Sequence, residues 1–448
     1  MKPDPRRMAV EILDSVEKKG SFAEPLLDSY LSAGAFNDQR DRKLLTELVY
    51  GTLRMKNRLD WVAGRFYKGD FETVDTGLKN ILRTALYQIM FTDRIPAYAA
   101  VNEAVKITAK RYPGRSALVN AVLRNALRGR EDIRYPDFRT APSLFISVFH
   151  SHPLWIVKKW MERFGINETA ALCRVDNEVP PLCLRVNRLR ATREEVIKEF
   201  VDLGCAAEKT VYSPAGIVLS DVPGPLRETP PYRAGHFQVQ DEASQLTVIL
   251  AGPRPGERIL DVCSGNGGKT THMAELMDNR GVIIALDISA AKLQSLEELA
   301  GRLGISVIRT HRGDASQDQG DSFRRAFDRV FVDPPCSGLG TLRRNPEIKW
   351  RLFPGEFRKF PPLQKSILSR AAACVKKGGR LIYSTCSIMS EENEDVVRDF
   401  LEKSGDFGIE IPAPVDEELI DSSGFFKSFP HRHGMDGFFA AVLRRNRA

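Results

Sequence analysis

The sequence predicts a multidomain chain: an all-α N-terminal domain, a small α+β middle domain and a C-terminal α/β domain built on a doubly wound parallel sheet. Three observations predict it. Apolar residues recur at helical spacing through the first 140 residues without a strand pattern. A short β-α-β pattern follows, introduced by a pair of prolines, and beyond residue 245 strand and helix patterns alternate. At 448 residues the chain also exceeds what one hydrophobic core supports, so two or three domains are expected.

In the first domain (1–140), Met8, Ile12 and Val16, then Leu78, Ile81, Leu82, Leu86 and Ile89, then Leu118, Val119, Val122 and Leu123 mark helix faces. The basic stretches Arg40 to Lys43, Arg54 to Arg58 and Lys106 to Arg115 suit phosphate contacts on a helical surface, and suit ordinary solvated helix faces equally well. In the second (150–235), Pro180 and Pro181 introduce a strand at Leu182 to Val186. Thr192 caps a helix that runs to Leu203, with Glu194 and Glu195 in its first turn, and Ile217 to Leu219 forms a second strand. A connector rich in proline and arginine, Pro223 to Arg233, leads into the third domain (236–448). Its strands are Ile259 to Val262, Val282 to Asp287, Val307 to Thr310, Arg329 to Asp333 and Arg380 to Ser384, with helices at Ala290 to Leu303 and Leu363 to Val375.

Composition narrows the function classes. Lys plus Arg total 66 against 58 Asp plus Glu, a net charge of +8 that is compatible with a polyanionic partner but modest for this length. The first residues carry acids and lack a signal-peptide core, and no stretch is apolar enough to span a membrane, so a cytoplasmic protein without membrane contact is expected. The seven cysteines include no CxxC pair, which argues against a disulfide framework and a metal centre. Nothing indicates an oligomeric partner.

The chemistry gathers at strand ends. Asp261 is followed by Val-Cys263-Ser264-Gly265-Asn266-Gly267-Gly268-Lys269-Thr270, a glycine-rich loop at the carboxyl edge where open sheets bind ligands. Its spacing fits neither a dinucleotide fingerprint nor a phosphate-binding Walker loop. Asp287 ends the second strand, placed for ribose hydroxyls, and Asp314 follows the third, placed for adenine; singly, each reads as a turn residue. After the fourth strand comes Asp333-Pro-Pro-Cys336-Ser-Gly-Leu-Gly340, and after the fifth Ser384-Thr-Cys386-Ser387. Two thiols and the loop thus share one sheet edge, whereas Cys173, Cys183, Cys205 and Cys374 read as structural.

In this order, the loop Cys263 to Lys269, Asp287, Asp314, Asp333-Pro-Pro-Cys336 and Thr385-Cys386 resemble the RNA 5-methylcytosine methyltransferases of the Sun type. The segments Gly235 to Gln245 and Gly434 to Phe439 agree, and residues 1–140, with Glu47 to Leu53 and Val119 to Asn125, resemble the NusB-like RNA-binding domain. The resemblance spans essentially the whole chain. It implies a Rossmann-like catalytic domain, S-adenosylmethionine as cofactor, and small-subunit (16S) ribosomal RNA as partner. Cys386 would be the nucleophile that adds to carbon 6 of cytosine, and Cys336 would assist product release. Asp333 would contact the pyrimidine edge, and Lys269 would lend electrostatic support to the thiolate. The family's usual Ala-Ala-Pro reads Ser264-Gly265-Asn266 here, a change expected to alter loop rigidity rather than binding. A methyltransferase of exocyclic amines would place an aromatic residue where Cys336 stands, a non-catalytic RNA-binding factor would need neither thiol nor loop, and a nicotinamide dehydrogenase is disfavoured by the loop spacing.

Overall fold

A computed structural model describes residues 4–32, 38–93, 95–222, 224–411 and 415–446, so Pro223, the first residue of the connector, lies outside the described residues. Its contacts divide the chain into two compact units. One runs to Val179 and also takes in Leu342–Pro354; the other holds Pro180–Thr341 and continues from Gly355.

The first unit is helical: α1 (Pro5–Lys19), α2 (Ala23–Ser32), α3 (Gln39–Phe66), α4 (Thr76–Phe91), α5 (Ala97–Arg111), α6 (Ser116–Arg128), α7 (Pro142–Phe149) and α8 (Leu154–Val175). The apolar positions read from the sequence, Ile12, Val16, Ile81, Leu82, Leu86, Val119 and Leu123 among them, form its core. Helix α4 is buried nearly all round, and it carries its polar residues inside by pairing them. Arg83 meets Asp60 at 2.5 and 2.8 Å, Glu17 at 2.8 Å and Asn80 at 2.8 Å. Helices α7 and α8 were not resolved from the mixed segment by the sequence reading. Pro142 opens α7, Pro153 precedes α8, and Gly165, at φ 79° and ψ 174°, interrupts α8, so the periodicity is broken into short pieces.

The excursion Leu342–Pro354 anchors in this unit through Lys349. Its ammonium is fully buried and donates to the carbonyls of Arg54 (3.0 Å) and Ser151 (2.9 Å) and to Oδ1 of Asn177 (3.0 Å). Burial pushes its pKa down, with Asp176 opposing.

The basic stretch Arg54 to Arg58 is likewise committed inward, which corrects its reading as a phosphate-contact surface. Arg54 donates to the carbonyl of Arg343 and Lys56 pairs with Glu17 and Asp60. Arg58 lies over the rings of Phe149, Tyr135 and Phe91. Arg40, Lys43, Lys110 and Arg115 remain exposed.

The second unit holds two sheets. The smaller, ordered β2-β3-β1-β4, is antiparallel and comprises β1 (Leu182–Val186), β2 (Ala206–Lys209), β3 (Gly216–Ser220) and β4 (Phe237–Val239). Helix α9 (Arg193–Asp202) packs on it and starts from the expected Thr192 cap, completed as a capping box by Glu195. Strands β2 and β4 escape the sequence pattern because one is polar and edge-exposed and the other is three residues long.

The larger sheet follows α10 (Glu242–Ala251) and contains β5 (Arg258–Val262), β6 (Val282–Asp287), β7 (Ile308–Arg312), β8 (Phe327–Val332), β9 (Val375–Thr385), β10 (Phe407–Ile409), β11 (Phe426–Lys427) and β12 (Phe439–Arg445). Its order is β10-β12-β9-β8-β5-β6-β7, with β11 paired to β12. Strands β5 to β9 are mutually parallel, as expected; β10 to β12 join antiparallel, making the sheet mixed. Strand order reverses at β5, flanked by β6 and β8, which is where such sheets open a ligand crevice. Helices α11 (Gly268–Leu276), α12 (Ala290–Leu303), α13 (Phe360–Ala372) and α14 (Glu394–Lys403) complete the unit.

The two sheets are joined by a fully buried cation. Arg185 of β1 donates to Glu275 of α11 (2.7 and 3.1 Å), to Thr271 (3.0 Å), to the carbonyl of Gly268 (2.7 Å) and to Gln240. Removing one member of such a pair leaves the other charge stranded. Arg185→Met should therefore lower the unfolding free energy by about 3–5 kcal/mol. Arg185→Met with Glu275→Met should recover much of that loss in urea denaturation; equal losses in the single and double variants would contradict a paired interaction.

Candidate active site

The glycine-rich loop leaves β5 with Cys263 at φ 64°, Gly265 at 57° and Gly267 at 85°. Gly267 is required twice over: its φ is left-handed, and a Cβ there would stand 2.5 Å from Leu296 Cγ. Asp287 holds the loop from β6, its Oδ2 accepting from the Gly265 amide at 2.9 Å and its Oδ1 from the Ser289 amide at 2.8 Å. The Ser264 hydroxyl is buried and makes no hydrogen bond among the described residues, a polar atom left for a ligand to meet. Asn266 is exposed. Asp314 stands apart, exposed after β7, with its carboxylate accepting from the amide (2.9 Å) and hydroxyl (2.7 Å) of Ser316.

Four of the expected residues converge. Cys336, in the loop after β8, has its sulfur 3.2 Å from that of Cys386, which follows β9. Lys269, near the start of α11, is 2.5 Å from Oδ2 of Asp333, and the Lys269 charge also interacts with Cys386. Burial pushes the Lys269 pKa down, but the Asp333 carboxylate outweighs it and holds the ammonium charged. The hydrogen bond to Cys386, reinforced by burial, keeps the Cys336 thiol well above its ordinary range. Both sulfurs are half-buried, whereas Cys173, Cys183, Cys205 and Cys374 are buried in the interior.

Backbone contacts fix the spacing of these loops. The Gly340 amide donates to the Cys386 carbonyl (2.9 Å), and the Gly437 amide donates to the Gly340 carbonyl (2.8 Å). A Cβ on Gly340 would fall 1.8 Å from the Gly437 oxygen, so three separate motifs touch only because this residue has no side chain.

Residues 248–444 match the family model described as 16S rRNA methyltransferase RsmB/F, residues 3–128 that of the NusB family, and residues 152–223 the RsmF/B-like ferredoxin-like domain. A Bacillus subtilis relative, "Probable ribosomal RNA small subunit methyltransferase B", is 35% identical over 446 residues, covering 98% of each chain. The chain belongs to the ribosomal RNA small subunit methyltransferase B family. A Synechocystis relative of the same name is 34% identical across 98% of this chain and 99% of its own. The crystal structure of PH0851 superposes with a TM-score of 0.84 at 27% identity, over 99% of this chain and 100% of that one. NSun6 from Pyrococcus horikoshii shares the fold at a TM-score of 0.58, with 23% identity over 64% of this chain and 97% of its own.

Arg185, Gln364, Glu392 and Asn393, none of them a candidate from the sequence, also contact the loops that carry the site, as does Gly340, which stands there only as part of the motif after β8. A glycine beside a cysteine motif was the one available signal. No helix among the described residues is long and apolar enough to cross a membrane.

Asp261, beneath the loop, accepts from the Thr270 hydroxyl at 2.5 Å. Burial pushes its pKa up from 3.8 to about 7, with the Thr270 bond opposing and Asp333 adding repulsion. A raised carboxyl favours the protonated folded state, so its stabilisation is present at acid pH and is lost as pH rises from about 4 through 7. The stability of the natural chain relative to Asp261→Asn should fall across that window in urea denaturation; a pH-independent difference would contradict it.

Proposed function

We propose that the chain methylates carbon 5 of a cytosine in small-subunit (16S) ribosomal RNA, with S-adenosylmethionine as donor and Cys386 covalently bonded to the base during transfer. The observation that carries this reading is the pair of sulfurs 3.2 Å apart beside the Lys269–Asp333 ion pair. One thiol suffices for a redox or structural role at a strand end, but addition to a pyrimidine followed by release asks for two acting groups.

In this assignment the loop Cys263 to Lys269, with Asp287 and Asp314, holds the cofactor, and the unpartnered Ser264 hydroxyl and the open space beside Gly265 and Gly268 suit a ligand there. The Cys386 thiolate adds to carbon 6 of a cytosine turned out of its stack, forming the S–C6 bond and moving the ring electron pair toward carbon 5. S-adenosylmethionine, when bound, supplies a methyl group on a sulfonium centre, the electrophile such a carbon attacks. Asp333, held by Lys269, faces the pyrimidine edge, and the Lys269 charge favours the Cys386 thiolate. Loss of the carbon-5 proton to solvent water returns the pair to C5=C6 and expels Cys386 as thiolate. Cys336, next to the reacting sulfur, serves this release. The three-part division 1–140, 150–235 and 236–448 gives RNA contact to the first two parts and chemistry to the third. The exposed Arg40, Lys43, Lys110 and Arg115 support phosphate contact in the helical part.

With radiolabelled S-adenosylmethionine and protein-free small-subunit ribosomal RNA, nucleoside analysis should find label in 5-methylcytidine. Cys386→Ala should lower the rate roughly a thousandfold or more while cofactor binding persists. Cys336→Ala should accumulate a protein–RNA adduct that survives denaturing electrophoresis. Label in another nucleoside, or full activity of Cys386→Ala, would refute the assignment.

A further inference from the structure

Ser337 follows Cys336 and Ser387 follows Cys386, and both serines turn to one carboxylate. Glu392, wholly buried, accepts through Oε1 from the Ser337 amide (2.8 Å) and from Gln364 Nε2 (3.0 Å). Its Oε2 accepts from the Ser337 and Ser387 hydroxyls, each at 2.5 Å, and those two oxygens lie 3.1 Å apart. Gln364 also donates to the Pro335 carbonyl at 3.0 Å, so the residues on both sides of Cys336 are held from one point. The other cysteine is held from the next residue along. Asn393 Oδ1 accepts from the Thr385 hydroxyl at 2.5 Å and its Nδ2 donates to the Ser387 carbonyl at 2.8 Å. Tyr383 fixes the Glu392 backbone itself through a 2.6 Å hydrogen bond to its carbonyl.

A buried carboxylate is costly unless its lone pairs are met, and here four neutral donors meet them, three of them from the serines that flank the sulfurs. We infer that Glu392 is a positioning residue that sets the separation of Cys336 and Cys386 by tying the residue after each to a single carboxylate. It touches neither sulfur. Its catalytic consequence rests on the proposed cytosine chemistry, whereas its geometric consequence does not. An amide in its place keeps the size but puts an uncharged NH2 donor where Oε2 stood, so both serine hydroxyls must reverse and the charge-assisted ties of the two loops are lost. Two reacting groups displaced by about 1 Å lose about 100-fold in rate.

The test reads sulfur spacing directly. The full-length chain is treated with dibromobimane, which bridges neighbouring thiols, and the Cys336–Cys386 bridge is quantified by peptide mass spectrometry relative to singly alkylated Cys386. That ratio is insensitive to a general change in thiol reactivity. It should fall about tenfold in Glu392→Gln, consistent with loss of proximity, and be partly restored in Glu392→Asp. In methyl transfer, Glu392→Gln should lower kcat about 100-fold with little change in KM for S-adenosylmethionine. If Glu392→Gln fails to fold, Ser337→Ala with Ser387→Ala removes both hydroxyl ties while leaving the carboxylate, and should lower the ratio likewise. A natural bridging ratio in Glu392→Gln, or in the serine variant, overturns the inference. A lowered ratio in a chain whose natural form makes no 5-methylcytidine would leave Glu392 as a positioning residue and remove the cytosine reading instead.

Discussion

The loop at the head of β5 depends on a guanidinium brought to it from another sheet. A guanidinium carries five N–H donors, so burying Arg185 in β1 obliges the surroundings to supply acceptors, and α11 supplies them through Glu275, Thr271 and the Gly268 carbonyl. The first turn of α11 is therefore pinned at the point where the glycine-rich loop ends. Burial together with the Arg185 charge also keeps His272, on the same helix, neutral. The small sheet is thus a structural partner of the loop as well as a candidate RNA-contact element.

From this anchor the edge of the larger sheet follows in order. Asp287 holds the loop from the β6 side, the Asp333 amide donates to the Val262 carbonyl from the β8 side, and Lys269 and Asp333 then meet across the switch point. Cys336 shares the loop of Asp333, and Cys386 stands one strand further on, after β9. Each tie is short and uses backbone or largely buried groups, so the site is set by the scaffold rather than by mobile side chains.

Much of this was legible in the sequence. Val282–Asp287 and Ala290–Leu303 coincide with their expected limits because β-branched runs and helical spacing are local properties. The strand expected from Arg380 begins instead at Val375, since Lys376, Lys377 and two glycines interrupt the apolar pattern. The cysteines were legible as a pair because each follows a parallel strand, but their 3.2 Å separation was not. Glu392 sits in Ser-Glu-Glu-Asn-Glu-Asp, a run that reads as a solvated acidic helix start. Arg185 and Lys349 look like surface charges in apolar neighbourhoods. Their partners lie tens to hundreds of residues away in the chain, and periodicity carries no information about such pairs. The same blindness left Arg54 to Arg58 open to reading either as a phosphate-contact surface or as a solvated helix face, when they are committed inward.

The excursion at Leu342–Pro354 has an implication for how this architecture is inherited. Six residues past Cys336 the chain enters the helical unit, leaves Lys349 in its interior, and only then resumes with α13. Neither unit is encoded as one uninterrupted stretch. A recombination event that exchanged the leading helices alone would strip the incoming set of the ammonium that its Arg54 and Ser151 carbonyls require. In this chain the leading helices and the segment Leu342–Pro354 are therefore one packing unit, the helices supplying the carbonyls and the segment the cation that meets them.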